Sequence, residues 1–140
     1  MISIKEAANI FYHHYDRYKE HSLKHKRIKH SDIVPLIQKL SSNNRFVINQ
    51  IGQSVQGRDI FLIAAGHGAN KIFMWSQMHG DESTATMALF DLLNFLSADD
   101  EFNEFRKTVF EKNTIYILPM LNPDGAELYQ RRNALEIDLN

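Results

Sequence analysis

The sequence predicts one α/β unit whose sheet mixes antiparallel and parallel strands. Three observations predict it. FVINQI from Phe46 and DIFLIAAG from Asp59 are strand-type runs joined by a short link, Ser54 to Arg58, which suits a hairpin. Two further apolar runs, KIFMWSQMH (Lys71 to His79) and TIYILPM (Thr114 to Met120), read as buried strands. Between them, Ala85, Ala88, Leu89, Leu92, Leu93 and Leu96 recur at helical spacing, so the chain passes from strand to helix and back. Crossovers of this kind are right-handed and leave their strands parallel, which brings the ends of both runs to one edge of the sheet, where open α/β sheets bind ligands.

The remaining elements follow in order. Ser3 and Glu6 form a capping-box pattern before a stripe of Ile4, Ala7, Phe11, Tyr15 and Tyr18, predicting a first helix. Ser31 or Asp32 is expected to cap a second helix with the stripe Ile33, Leu36, Ile37 and Leu40, Pro35 falling in its first turn. KIFMWSQMH is expected to be a central strand covered on both faces, with Trp75 in the core. A helix from about Glu82 to Ser97 follows, then a short one through Phe102, Phe105 and Val109. Asn122, Pro123, Asp124 and Gly125 end the last strand in a turn.

Composition narrows the function. Sixteen Lys and Arg against 17 Asp and Glu give a formal charge of −1, which lacks the field of a nucleic-acid or anionic-membrane binder. The basic, histidine-rich stretch around His13, His14, His21, His25 and His30 is expected to be a solvated face. With no cysteine, thiolate metal sites and disulfides are excluded. No membrane span or secretory leader is expected, and the chain reads as cytoplasmic.

Three segments at predicted strand ends carry residues suited to chemistry. In Gln77-Met78-His79-Gly80-Asp81-Glu82, an imidazole and a carboxylate three residues apart on a forming helical turn point to one side, as metal ligation needs. The same spacing also suits acidic residues that merely favour a helix N-terminus. Asn122 to Gly125 is equally a plain turn, and Arg131-Arg132-Asn133 with Asp138-Leu139-Asn140 equally a solvated loop.

Taken together, these segments resemble the zinc carboxypeptidase family: the His-x-x-Glu of His79 and Glu82, the NPDG of Asn122 to Gly125, the DLN of Asp138 to Asn140, and the IGQSVQGRDI stretch from Ile51 to Ile60. The resemblance implies a three-layer α/β/α sandwich with a mixed sheet, incomplete at the C-terminus, with residues 1–140 as the N-terminal portion of one catalytic domain and 1–40 as a helical lead-in. It implies one zinc ion held by His79, Glu82 and a histidine beyond Asn140, activating water to cleave a C-terminal peptide or peptide-like amide bond. Arg131 would stabilise the oxyanion and help bind substrate, and Asn140 would orient the terminal carboxylate. The general base would also lie beyond Asn140, so this chain alone is expected to be inactive. Where the digestive members carry arginine, this chain has Asp81, so its substrate pocket is expected to differ. Alternatives are an N-acyl amino acid deacylase of the aspartoacylase and succinylglutamate desuccinylase type, or a non-catalytic fragment. No nucleic-acid or membrane partner is expected, and oligomeric state is not legible.

Overall fold

The structure, a computed structural model, describes residues 4–24 and 26–140. Ser3 and His25 lie outside the described residues, as do the side chains of Ile4 and Ala7. Helices α1 (Ile4–His14) and α2 (His30–Leu40) precede strands β1 (Phe46–Gln53), β2 (Asp59–Ala65) and β3 (Asn70–Trp75). Helices α3 (Thr84–Ser97) and α4 (Asn103–Lys112), strand β4 (Asn113–Leu118) and helix α5 (Pro123–Leu128) complete the order.

The predicted mixed α/β fold is present. Strands β1 and β2 form the antiparallel hairpin, β2 pairs antiparallel with β4, and β3 runs parallel to β4 across the crossover. Strand order is β1-β2-β4-β3. Because directly paired residues share a face, two neighbouring rows run across the sheet. Phe46, Ala65, Ile115 and Ile72 face the helices, whereas Val47, Ala64, Tyr116 and Phe73 face the other way. Phe46, Ala65 and Ile115 of the first row pack with Ile33, Ile37 and Leu40 of α2 and Leu89, Phe90, Leu93 and Leu96 of α3 into one core, while Ile72 at the sheet edge stays exposed.

Several local expectations are corrected. Strand β3 is an edge strand among the described residues, and it stops at Trp75 rather than continuing to His79. Its apolar run alternates: Met74 packs on the core, while Phe73 and Trp75 stack on the outer face with ring centroids 5.6 Å apart. Trp75 is therefore half exposed rather than buried. Helix α3 starts at Thr84, two residues later than the expected Glu82. It turns Ala85 and Ala88 outward and uses Phe90, which the stripe omits, in the core.

Helix α2 begins at His30, with the Asp32 carboxylate accepting from the Lys29 N–H at 2.8 Å. Pro35 therefore sits in its middle, where it forfeits one helical hydrogen bond. Helix α1 ends at His14, and the chain tightens into a 3-10 turn at Tyr15–Arg17 before the buried Tyr18. Phe11 holds α1 down through edge-on contacts with Phe95 and Phe105. Among the described residues no helix is long and apolar enough to cross a membrane.

Candidate metal and substrate site at the ends of the parallel strands

Beyond the parallel strands the two chains stay stitched together. The Ser76 N–H donates to Leu118 O at 3.0 Å, the Leu121 N–H to Ser76 O at 2.9 Å, and the Asn122 N–H to Gln77 O at 2.9 Å. Gln77 then takes a left-handed backbone, φ 43°, which bends the chain off the sheet. That conformation disfavours most side chains, and a buried network holds it. Gln77 Nε2 donates to the carbonyls of Ile28 (3.0 Å) and Gly80 (2.9 Å), and its Oε1 accepts from the Thr86 hydroxyl at 2.8 Å.

Gly80 follows because the next loop leaves no room for a side chain. A Cβ built there would lie 2.0 Å from the Gly125 carbonyl carbon and 2.2 Å from Ala126 N. The two motifs are thus in backbone contact.

The NPDG segment ends its strand as expected, but it opens a helix rather than closing a turn. Asn122 caps α5, its side-chain oxygen accepting from the Gly125 N–H at 2.9 Å, and Pro123 occupies the first turn, where no N–H is needed. Asp124 points away into the β1–β2 link. Its buried carboxylate accepts from Ser54 Oγ (2.7 Å), Arg58 Nη1 (2.6 Å) and the Gln56 N–H (3.1 Å). Burial pushes its pKa up, but these three donors outweigh burial and hold it below the usual carboxylate value.

The structure brings His79, Glu82 and Arg131 together. His79 is buried, and the pair sits not on the helix but on the turn before it, closed by the Glu82 N–H donating to His79 O at 3.1 Å. In this turn His79 Nδ1 and Glu82 Oε2 stand 3.1 Å apart. Arg131 Nη1 lies 3.1 Å from the same Nδ1 and 3.7 Å from Glu82 Oε1. Of the adjacent arginines, Arg131 alone turns to the site, since Arg132 Nη1 donates to Glu136 O at 2.6 Å. Asn140 is exposed, joined to the cluster by its N–H, which donates to Asp138 Oδ1 at 3.2 Å. Asp81 is exposed on the rim of a cleft of about 470 Å³ beside Glu82, which Trp75, Met78 and Ala85 also line.

One residue of the cluster carries no signal in the sequence. Asp138 entered only as a landmark, yet its Oδ1 lies 3.2 Å from His79 Nε2 and its Oδ2 accepts from Arg131 Nε at 2.7 Å. The Arg131 hydrogen bond, more than any other contact, holds the Asp138 carboxyl below its usual pKa. Nothing in the spacing of 59 residues between Asp138 and His79 signals this contact.

The donor set suits a divalent ion of intermediate softness. An imidazole nitrogen and a carboxylate converge, and a second carboxylate braces the far side of the ring, an outer-sphere arrangement that fixes the tautomer of metal-bound histidines. Among the described residues no group of three His, Cys, Asp or Glu is arranged around one point, so this chain offers a pair of donors.

A model of the family described as zinc carboxypeptidase matches residues 33–140. Carboxypeptidase SOL1 of Arabidopsis thaliana is 30% identical over 64% of this chain and 20% of its own length. Carboxypeptidase M of Mus musculus is 28% identical over 60% of the chain and 20% of its own length. Among solved structures, the metallo-carboxypeptidase of Pseudomonas aeruginosa, in complex with (2-guanidinoethylmercapto)succinic acid, superposes with a TM-score of 0.68 at 28% identity. It covers 79% of this chain, which spans 30% of that one. The metallo-carboxypeptidase of Burkholderia cenocepacia shares the fold at a TM-score of 0.72 and 22% identity, covering 79% of this chain and 31% of its own. The chain thus spans about a fifth of these curated relatives.

Proposed function

The chain belongs to the zinc carboxypeptidase family, and from that premise we propose that it carries the metal pair and the oxyanion arginine of a hydrolase cleaving a C-terminal peptide or peptide-like amide bond. One observation carries this reading. His79 Nδ1 and the Glu82 carboxylate converge to 3.1 Å with Arg131 beside both, at the end of the parallel strands. In the proposal, His79 and Glu82 hold one Zn²⁺ ion. When bound, zinc supplies Lewis acidity, polarising a carbonyl and lowering the pKa of water.

The chain's own residues supply the rest. Asp138 accepts a hydrogen bond from the His79 Nε2–H, which would leave the Nδ1 lone pair free for the ion. Arg131, fixed at Nε by Asp138, presents a cation where negative charge develops on the carbonyl oxygen, with no reorganisation needed during reaction. Asn140 orients the substrate's terminal carboxylate. Asp81 makes the cleft beside Glu82 unfavourable for an anionic group.

Metal binding tests this reading. Zinc bound by the chain is expected to be lost in both His79→Ala and Glu82→Ala. Each should weaken affinity by more than the roughly 10–100-fold that an outer-sphere change costs. Zinc affinity unchanged in His79→Ala would overturn the assignment. Substrate class is read separately in the whole protein, where a peptide is expected to be hydrolysed in preference to an N-acyl amino acid. The reverse preference would favour a deacylase.

A further inference from the structure

Three groups converge on the His79 ring. With its proton on Nε2, facing the acceptor Asp138 Oδ1 at 3.2 Å, the ring turns an Nδ1 lone pair to the Arg131 Nη1 donor at 3.1 Å. Glu82 Oε2, another acceptor, stands 3.1 Å from that same Nδ1. Two acceptors that close repel each other unless a cation stands over both. Arg131 is that cation: Nη1 serves the imidazole and lies 3.7 Å from the second Glu82 oxygen, while Nε is anchored on Asp138 at 2.7 Å.

The guanidinium and a metal ion therefore seek the same donors. Resting on the metal reading above, we propose that Arg131 is an internal stand-in cation that competes with the metal for His79 Nδ1 and Glu82. A bound metal would take Nδ1 and the Glu82 carboxylate from Nη1, while Nε would keep its anchor on Asp138. The grip is loose by construction, because Glu82 and Arg131 are 64% and 45% exposed, whereas His79 is 7% exposed. Ion pairs of that exposure contribute little, so the device tunes metal affinity without blocking it.

The test is zinc affinity of the intact chain, measured by competition with a chromogenic chelator at fixed pH and ionic strength. Arg131→Ala is expected to bind zinc about threefold to fivefold more tightly, the range of a half-exposed ion pair. Arg131→Gln, which keeps a polar side chain, should show the same gain, and circular dichroism should show both variants folded. Arg132→Ala removes an equal charge that bonds elsewhere and should leave the affinity unchanged. If His79→Ala abolishes binding but neither Arg131 variant gains affinity, the competition does not exist. An equal gain in Arg132→Ala would also overturn it, by showing net charge rather than occupancy at work. Zinc affinity unaffected by His79→Ala would instead overturn the metal reading itself, and the inference with it.

Discussion

Arg58 and Asp124, 66 residues apart, are joined by a 2.6 Å hydrogen-bonded ion pair whose carboxylate is 2% exposed. The pair fastens the β1–β2 link to the first turn of α5, and so holds the loop that packs against Gly80. Asp124→Ala should therefore destabilise the chain by about 2–3 kcal/mol, because it strips a buried acceptor from three donors, one of them charged. Chemical denaturation with an unchanged slope would measure it. A loss below about 0.5 kcal/mol would show that the link holds without its anchor.

The same carboxylate sets a pH dependence. Its folded pKa lies below the ordinary value, as does that of Asp100, which accepts from Arg106 Nη2 at 3.0 Å. A depressed folded pKa contributes stability that is fully present above the unfolded value of about 3.9 and is lost as pH falls through the folded value. Stability should decline from about pH 4 downward. Asp124→Asn should flatten that decline, and melting temperatures recorded from pH 6 to pH 2 would show whether it does.

Gly80→Ala should prevent folding or cost about 4 kcal/mol or more, since the clash is with backbone rather than with a yielding side chain. Gly57→Ala makes a useful contrast. Gly57 is also restricted, by φ 77°, but nothing lies within 4 Å of its added Cβ. Strain alone should cost about 1–2 kcal/mol there. Comparable losses in both would mean that the two loops can separate cheaply.

Asp138→Asn should weaken zinc binding about 10–100-fold by loosening the tautomer and ring orientation of His79. The change also loosens the anchor of Arg131, which acts in the opposite direction, but the few-fold gain expected there is smaller, so the net effect is a loss. Isothermal titration with zinc decides the sign.

The sequence carried the elements whose signals are local. The stripe of Leu89, Leu93 and Leu96 fixed α3 and its inner face, and the two alternating runs with a Gly-containing link fixed the hairpin. The Gly57 turn is legible because glycine takes its left-handed backbone angle at the least steric cost. What could not be read depends on neighbours distant in sequence. The apolar run ending at Trp75 looks the same whether one face or both are covered, and only the strand order makes it an edge. Ahead of α3 the chain makes the turn closed by Glu82 N–H on His79 O and the left-handed Gln77, whose side chain is held by Thr86 and by Ile28, 49 residues upstream. At the site, the spacing of His79 and Glu82 leaves two readings open, and only the resemblance of all the segments together points to a metal. The resemblance also points to Arg131, but the contacts of Arg131 and Asp138 with His79 arise from a loop that folds back across more than 50 residues.

The outer row of the sheet governs how this chain behaves at concentration. Among the described residues β3 pairs on one side only, and beside that edge stand Phe73 and Trp75, each about half exposed. Such an edge accepts any extended segment that meets it, with backbone hydrogen bonds for adhesion and stacked rings for grip. Phe73 and Trp75 of β3 are therefore where this chain is expected to meet other chains. A lysine in place of Phe73 would act as a gatekeeper there without touching the core.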